Sequence, residues 1–213
     1  DQYGGSIENR IRLLREVVQA IADVVGPERT SVRLSPNGEI HGANDSNPEP
    51  LFVAAAEALA EIGIAFLEIR EPHAESALRI PDQPPIAPKM RKVFRAPIVL
   101  NSEYTLERAQ AALDADEADA IAFGRAFIAN PDLPHRLETG PSLNKPDPST
   151  FYAQGPVGYV DYPGRRGAGG LRSIVSRPRT RERTKAPFAV SLSNRLPFLF
   201  KEGEAFDKPR SNE

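Results

Sequence analysis

The sequence predicts an α/β fold on a parallel sheet, and within that class four β/α units of a TIM (β/α)8 barrel, half of the full eight. Three observations carry this reading. The elements alternate, one helix followed by strand–helix four times. The strands are short and continuously apolar, as in a parallel sheet covered on both faces. No GxGxxG follows a strand, which argues against a dinucleotide-binding Rossmann unit and leaves the barrel.

The elements come in order. "SIENRIRLLREVVQAIADVVG" predicts a helix with Ser6 as N-cap and Asn9 at the capping-box position. Ile11, Leu14, Val18, Ile21 and Val25 fall at helical spacing, and Gly26-Pro27 ends the run. "TSVRLSP", β-branched and closed by Pro36, predicts the first strand. Residues 51–62 are Ala-rich with apolar spacing and predict a helix closed by Gly63. "IAFLEIRE" predicts the second strand, residues 86–94 a short helix, and "APIVLNS" the third strand. "TLERAQAALDAD" is a helix with Thr105 as N-cap, and "DAIAFG" the fourth strand. "NPDLPHRLETG" predicts a short capped helix with Pro131 at its first position.

Composition narrows the function classes. Hydrophobic residues make up 40% and charged residues 26%, which suits a globular protein. No apolar run approaches the roughly 18 residues of a membrane span, and no signal-peptide pattern is visible. Cysteine is absent, which excludes disulfides, thiolate catalysis and cysteine-ligated metal and suits a reducing compartment such as the cytoplasm. The chain opens on Asp1 and its sole methionine is Met90, so a processed or partial chain is expected. Charge is uneven. Residues 164–213 hold 12 Lys/Arg against 5 Asp/Glu, leaving 15 against 24 for residues 1–163. The Gly/Arg/Ser/Pro-rich stretch from residue 164 to about 187 predicts a disordered tail rather than a nucleic-acid arm. "FAVSLSNRLPFLF" within the tail has the composition of a short docking strand.

Two arginines stand where chemistry is expected. In a TIM barrel, ligands sit at the C-terminal strand ends, and a phosphate often binds after the last two strands beside a short extra helix. "AFGRAFIA" offers Gly124, which lets a ligand approach the backbone, then Arg125, a forked cation suited to phosphate oxygens. The alternative is a surface arginine paired with an acid. Arg33 lies inside an apolar strand, where an unpaired charge is costly. It either meets Glu68 or Glu71 on the next strand or faces an anionic ligand.

"DQYGGSIENR", "VRLSP", "LNSEYT", "AFGRAFIANPDL" and "FYAQGPVGYVDYP", in that order from Asp1 to Pro163, together resemble the C-terminal half of the old yellow enzyme family. Those proteins are FMN-dependent, NAD(P)H-using ene-reductases on a TIM barrel. The resemblance implies a catalytic role for Arg33, whose cation would stabilise the negative charge of reduced flavin near N1. It implies FMN-phosphate contacts at Gly124 and Arg125, and at Asn101 and Ser102, where many members have glycine and the Ser102 backbone N–H would serve instead. Glu103 is unhelpful beside a phosphate unless it points to solvent. Phe151 would pack against the isoalloxazine and Tyr152 would line the substrate mouth, the alternative for both being ordinary aromatic packing. "DQYGGSIENR" is mainly structural.

The family's first four strands supply further flavin contacts, a His/Asn pair for the substrate carbonyl and a tyrosine that protonates the alkene. None of these has a counterpart here. His41, His73 and His135 fall outside the matching motifs and read as solvated surface residues. After Pro163 the chain leaves the family pattern, which continues as a helix. The expected domains are residues 1–163, the half-barrel, and residues 164–213, the tail. The expected function is NAD(P)H-driven reduction of activated alkenes such as enones, with little activity in this chain alone. A non-catalytic half-barrel serving binding or assembly is the alternative. The "NPDL" and "GYVDYP" motifs argue against a different phosphate-binding barrel enzyme. An open half-barrel is also expected to self-associate through its unpaired sheet edges.

Overall fold

The structure, a computed structural model, describes residues 1–38, 44–80, 82–140 and 142–164, and the backbone of residues 198–200. The predicted disordered tail lies almost wholly outside the described residues, as does His41. The described chain forms two compact units divided between Ala122 and Phe123.

The first unit opens with α1 (Ile7–Val25), whose N-cap Ser6 accepts from the Asn9 backbone N–H. Asn9 itself donates to the Gly4 carbonyl, 3.0 Å away, and Arg12 Nε to the Gln2 carbonyl, so the "DQYGGSIENR" loop is tied to the helix start. β1 (Ser31–Leu34) follows, then α2 (Pro48–Ile62), which ends on Gly63 at a φ of +78° where a side chain would be strained. β2 (Phe66–Arg70), α3 (Ala87–Val93), β3 (Ile98–Asn101), α4 (Leu106–Asp114) and β4 (Ala120–Ala122) complete the unit. Thr105 caps α4 by accepting from the Arg108 N–H. The strands lie side by side in chain order, all parallel. This is the half-barrel that the alternating pattern predicts.

The register sorts the side chains. Arg33 pairs with Glu68 and Glu68 with Val99, while Leu34, Ile69, Leu100 and Ile121 form the neighbouring row. Successive residues of a strand face opposite sides, so Arg33, Glu68 and Asn101 share one face. Leu67, Ile69, Ile98, Leu100 and Ile121 occupy the other and are buried.

One expectation needs correction, and one apolar spacing is only partly buried. β1 is not covered on both faces: Ser31 and Arg33 are exposed, and Val32 and Leu34 only partly buried. β1 is the edge strand, and strand order is not written in the local sequence of "SVRL". Along α1, Val18 and Ala22 are buried, but Ile21 and Val25 of the predicted stripe are 46% and 44% exposed. Leu13, Val17 and Val24 are exposed as well. α1 packs on α2 with one narrow side, leaving part of a broad apolar girdle uncovered.

The second unit contains α5 (Arg125–Ala129), α6 (Leu133–Thr139) and the short strand β5 (Phe198–Phe200). Pro131 does not open α6. Buried Asn130 holds a turn, accepting from the Leu133 N–H at 2.9 Å, and the helix starts after Asp132 with Pro134 in its first turn. Buried Arg136 donates to Asp132, to the Ser142 carbonyl and to the Pro163 carbonyl, at 2.7, 2.8 and 3.0 Å. Asn144 also donates to the Pro163 carbonyl. One satisfied guanidinium thus fastens residues 142–163 to α6.

A single carboxylate gathers the strand ends of the first unit. Glu71, just past β2, accepts from Asn37 Nδ2 at 2.6 Å and from the backbone N–H groups of Ile86 and Ala87 at 2.8 and 2.9 Å. Truncation to Ala leaves three donors at a partly buried position without an acceptor. Hydrogen bonds to a charged group contribute about 1.5–3 kcal/mol each when lost singly, and less than their sum together. Glu71→Ala is expected to lower unfolding stability by about 3 kcal/mol in urea titration; a loss under about 1 kcal/mol would show that water replaces the carboxylate.

Candidate functional site

Arg33 is positioned by its strand register and by two partners. Its Nε lies 3.5 Å from Glu68 Oε1 and its Nη2 donates to Asn101 Oδ1 at 3.4 Å. Asn101 Nδ2 in turn donates to the Ala122 carbonyl at 3.3 Å, so the amide is oriented by the end of β4. The open alternatives for Arg33 therefore resolve toward Glu68, since Glu71 is engaged elsewhere. Even so, the Arg33 side chain stays 46% exposed while that of Glu68 is 6% exposed. The cation is held from beneath and presented above.

Glu68 is the residue that sequence reading placed only as a possible partner. Its Oε1 is buried and accepts no hydrogen bond, so the contact with Arg33 is one of charge rather than of a formed hydrogen bond. Burial pushes its carboxyl pKa up, and the Arg33 guanidinium pulls it only part of the way back.

The turn after β3 is unusual. Ser102 has a φ of +122° and Glu103 of +54°. Residues with a Cβ avoid this region, and such a turn is ordinarily built from glycine. Backbone strain of this kind gathers at ligand sites. Ser102 is buried. Glu103 does not simply point to solvent: its Oε2 accepts from Ser76 Oγ and lies 3.7 Å from His73 Nε2. His73 is corrected with it, being 22% exposed and beside two glutamates, Glu75 and Glu103, rather than solvated. His135 is exposed on α6, as expected. A cavity of about 240 Å³ opens nearby, walled by Glu71, His73, Ser102, Tyr104 and Arg108 among others. Burial, with Glu117 adding to it, pushes the Tyr104 phenol up to about 12. Arg33 and Asn101 do not line this cavity.

In the second unit, Gly124 precedes α5 and is exposed, with a φ of −99°. Among the described residues nothing lies within 4 Å of where a Cβ on Gly124 would stand. Neither a left-handed backbone nor internal packing calls for glycine there. Arg125 beside it is exposed. Phe151, after the 3-10 turn Pro148–Thr150, is partly buried, whereas Tyr152 is 98% exposed. Ordinary core packing is thereby ruled out for Tyr152.

The raised carboxyl of Glu68 has a consequence for stability. A folded pKa above the unfolded value, about 4.3 for Glu, means that the folded state binds the proton more tightly. Stability then falls as pH rises from the unfolded pKa through the folded one. Glu68→Gln removes this slope. Urea unfolding from pH 4 to pH 8 is expected to show the variant gaining on the wild type as pH rises; a gap moving the other way would mean that Arg33 outweighs desolvation.

The comparisons with known proteins accord with these features. Residues 1–144 match the model of the NADH:flavin oxidoreductase / NADH oxidase family. The chain is 38% identical over 164 residues to 12-oxophytodienoate reductase 2 of Arabidopsis thaliana, covering 76% of this chain and 44% of that protein. It is 38% identical over 163 residues to a probable flavin mononucleotide-dependent alkene reductase of Leishmania infantum, covering 76% and 43%. Among solved structures it is similar to the old yellow enzyme homologue from Zymomonas mobilis, with a TM-score of 0.74 and 53% identity over 76% of this chain and 46% of that one. The chain spans about half the length of the curated relatives it matches. With a match over residues 1–144, it belongs to the NADH:flavin oxidoreductase / NADH oxidase family.

Proposed function

We infer that this chain carries part of the flavin site of an FMN-dependent oxidoreductase that uses NAD(P)H to reduce activated alkenes such as enones. The observation that carries the reading is Arg33, a half-exposed cation gripped by Glu68 and Asn101 at the strand ends of the half-barrel. The residues present suit FMN. Ser102 and Glu103 adopt the glycine-type backbone that lets a phosphate approach, and Gly124 is open where a Cβ would stand. When bound, FMN supplies the hydride chemistry between the nicotinamide and the alkene.

The chain's own residues bind and polarise. Arg33 would stand beside the flavin pyrimidine and stabilise negative charge there, as the resemblance implies. Asn101, through its side chain, keeps that guanidinium in place. In the second unit, Gly124 and the Arg125 guanidinium would hold the phosphate, and in the first unit the backbone N–H of Ser102 is a candidate phosphate donor by the family resemblance; α5, at five residues, adds little dipole of its own. Phe151 packs on the ring system, and Tyr152, free of core contacts, lines the substrate mouth. The lack of cysteine supports a reducing compartment such as the cytoplasm.

FMN binding by this chain is expected to be weak and phosphate-dominated. An unburied flavin face forfeits several kcal/mol at roughly 25 cal/mol per Å² of apolar area, and each 1.4 kcal/mol is tenfold in affinity. Fluorescence titration should give a Kd on the order of tens of micromolar or weaker for FMN. Riboflavin should bind more weakly, and Arg125→Ala should remove the difference. Equal binding of the two flavins by the wild type would sink the phosphate assignment. NAD(P)H oxidation by the chain alone should not exceed that of free flavin.

A second reading, a half-barrel that serves assembly, is favoured by a separate observation. Leu13, Val17, Ile21 and Val24 are exposed along α1, and β1 is an edge strand. Helical residues three and four apart share a face, so these four form one apolar stripe. A second copy of the chain would cover both stripe and edge. Light scattering at micromolar concentration should show dimers or larger species, and Val17→Lys with Ile21→Lys should shift them toward monomer. A monodisperse wild-type monomer would contradict this.

A further inference from the structure

A buried carboxylate with an orphaned oxygen is costly, and packing does not call for one at position 68. Val99, its register partner on the same face, is apolar and 2% exposed. An apolar residue there would continue the run, and replacing a buried ion pair by apolar side chains is often stabilising. What distinguishes the position is Arg33 alone. Arg33 stands on an edge strand with its side chain 46% exposed, and a long unpartnered side chain there samples many rotamers. Glu68 engages its Nε end and Asn101 one hydrogen of Nη2. A guanidinium has five donors in a rigid fork, so these two contacts fix its plane and leave the remaining donors for a ligand.

Resting on the reading of Arg33 as the cation beside the flavin, we propose that Glu68 is a positioning residue that holds the Arg33 guanidinium and, by its own charge, limits how strongly that cation favours reduced over oxidised flavin. The two parts of the role separate on substitution. Leucine at 68 removes the partner while keeping apolar volume, so Arg33 is released. Glutamine keeps the shape of the side chain but removes its charge, so Arg33 retains its hydrogen bond to Asn101 and its field strengthens. The size of the second effect is about tenfold, as for a unit charge near 10 Å at an effective dielectric of about 20.

Both parts are tested on the full chain at pH 8. The Arg33 Nε–H resonance, identified by its loss in Arg33→Lys, is followed by nitrogen-15 NMR without any flavin. In Glu68→Leu its exchange with solvent should quicken at least about tenfold while the backbone amides of β1 and β2 keep their protection; this size follows from loss of one charge-assisted contact. In Glu68→Gln it should change less. An Arg33 signal unaltered in Glu68→Leu overturns the positioning role. Oxidised and dithionite-reduced FMN are then titrated anaerobically. The ratio of their dissociation constants, oxidised over reduced, should rise about tenfold in Glu68→Gln, about 30 mV for a two-electron couple. A ratio unchanged or lowered overturns the charge role. If the wild type binds neither form of FMN, the flavin reading fails, and the NMR result alone decides whether Glu68 positions Arg33.

Discussion

The Glu71 carboxylate is the constraint on which the candidate site depends. Side chains from β1 and β3 meet only if the loops beyond the strands are held, and Glu71 holds them. It accepts from Asn37, which follows β1, and from Ile86 and Ala87 at the start of α3. Its own backbone N–H donates to the Asn101 carbonyl at the end of β3. Asn37 extends the clamp by donating to the Pro84 carbonyl. The ends of three strands and the start of one helix thus meet at one residue, at a place where a loop would otherwise be free to sample many conformations.

Above this clamp the chain accepts unfavourable local states. Ser102 and Glu103 take a backbone conformation suited to glycine, Asn37 is buried with an orphaned Oδ1, and Glu68 is buried with an orphaned Oε1. These costs are confined to the C-terminal ends of β1, β2 and β3 and to the middle of β2. The opposite face of the same sheet is a plain apolar layer of Leu67, Ile69, Ile98, Leu100 and Ile121. That apolar layer supplies burial, while the residues proposed to meet the flavin stand on the other face.

Much of this was legible in the chain. Helix starts were, because Ser6 and Thr105 carry their caps locally, and so was the end of α2 at Gly63. Arg33 stood out because a charge within an apolar run demands a partner. Which acid answered it was not legible, since Glu68 and Glu71 differ only in which face of β2 they occupy and where α3 begins. The strain at Ser102 left no mark, because nothing in "LNSEYT" announces a positive φ at a non-glycine residue. The apolar spacing of α1 announced the helix but not how much of it is buried, because burial depends on how many neighbours the helix meets. Pro131 was misplaced because the Asn130 backbone carbonyl accepts from the Leu133 N–H, closing a turn before α6 can begin.

The pairing order of the sheet bears on how the chain folds. Ser31 pairs with Phe66, Leu67 with Ile98 and Val99 with Ala120, spans of 35, 31 and 21 residues. Among β1–β4 every strand joins the one that follows it, and no pairing among these four reaches across more than one helical connection. Loop-closure entropy rises only slowly with such lengths, and topologies dominated by short sequence separations fold quickly. The sheet can therefore grow one β/α unit at a time, each new strand docking on a template already in place. The slow step of a closed barrel, joining its first strand to its last, has no counterpart within β1–β4.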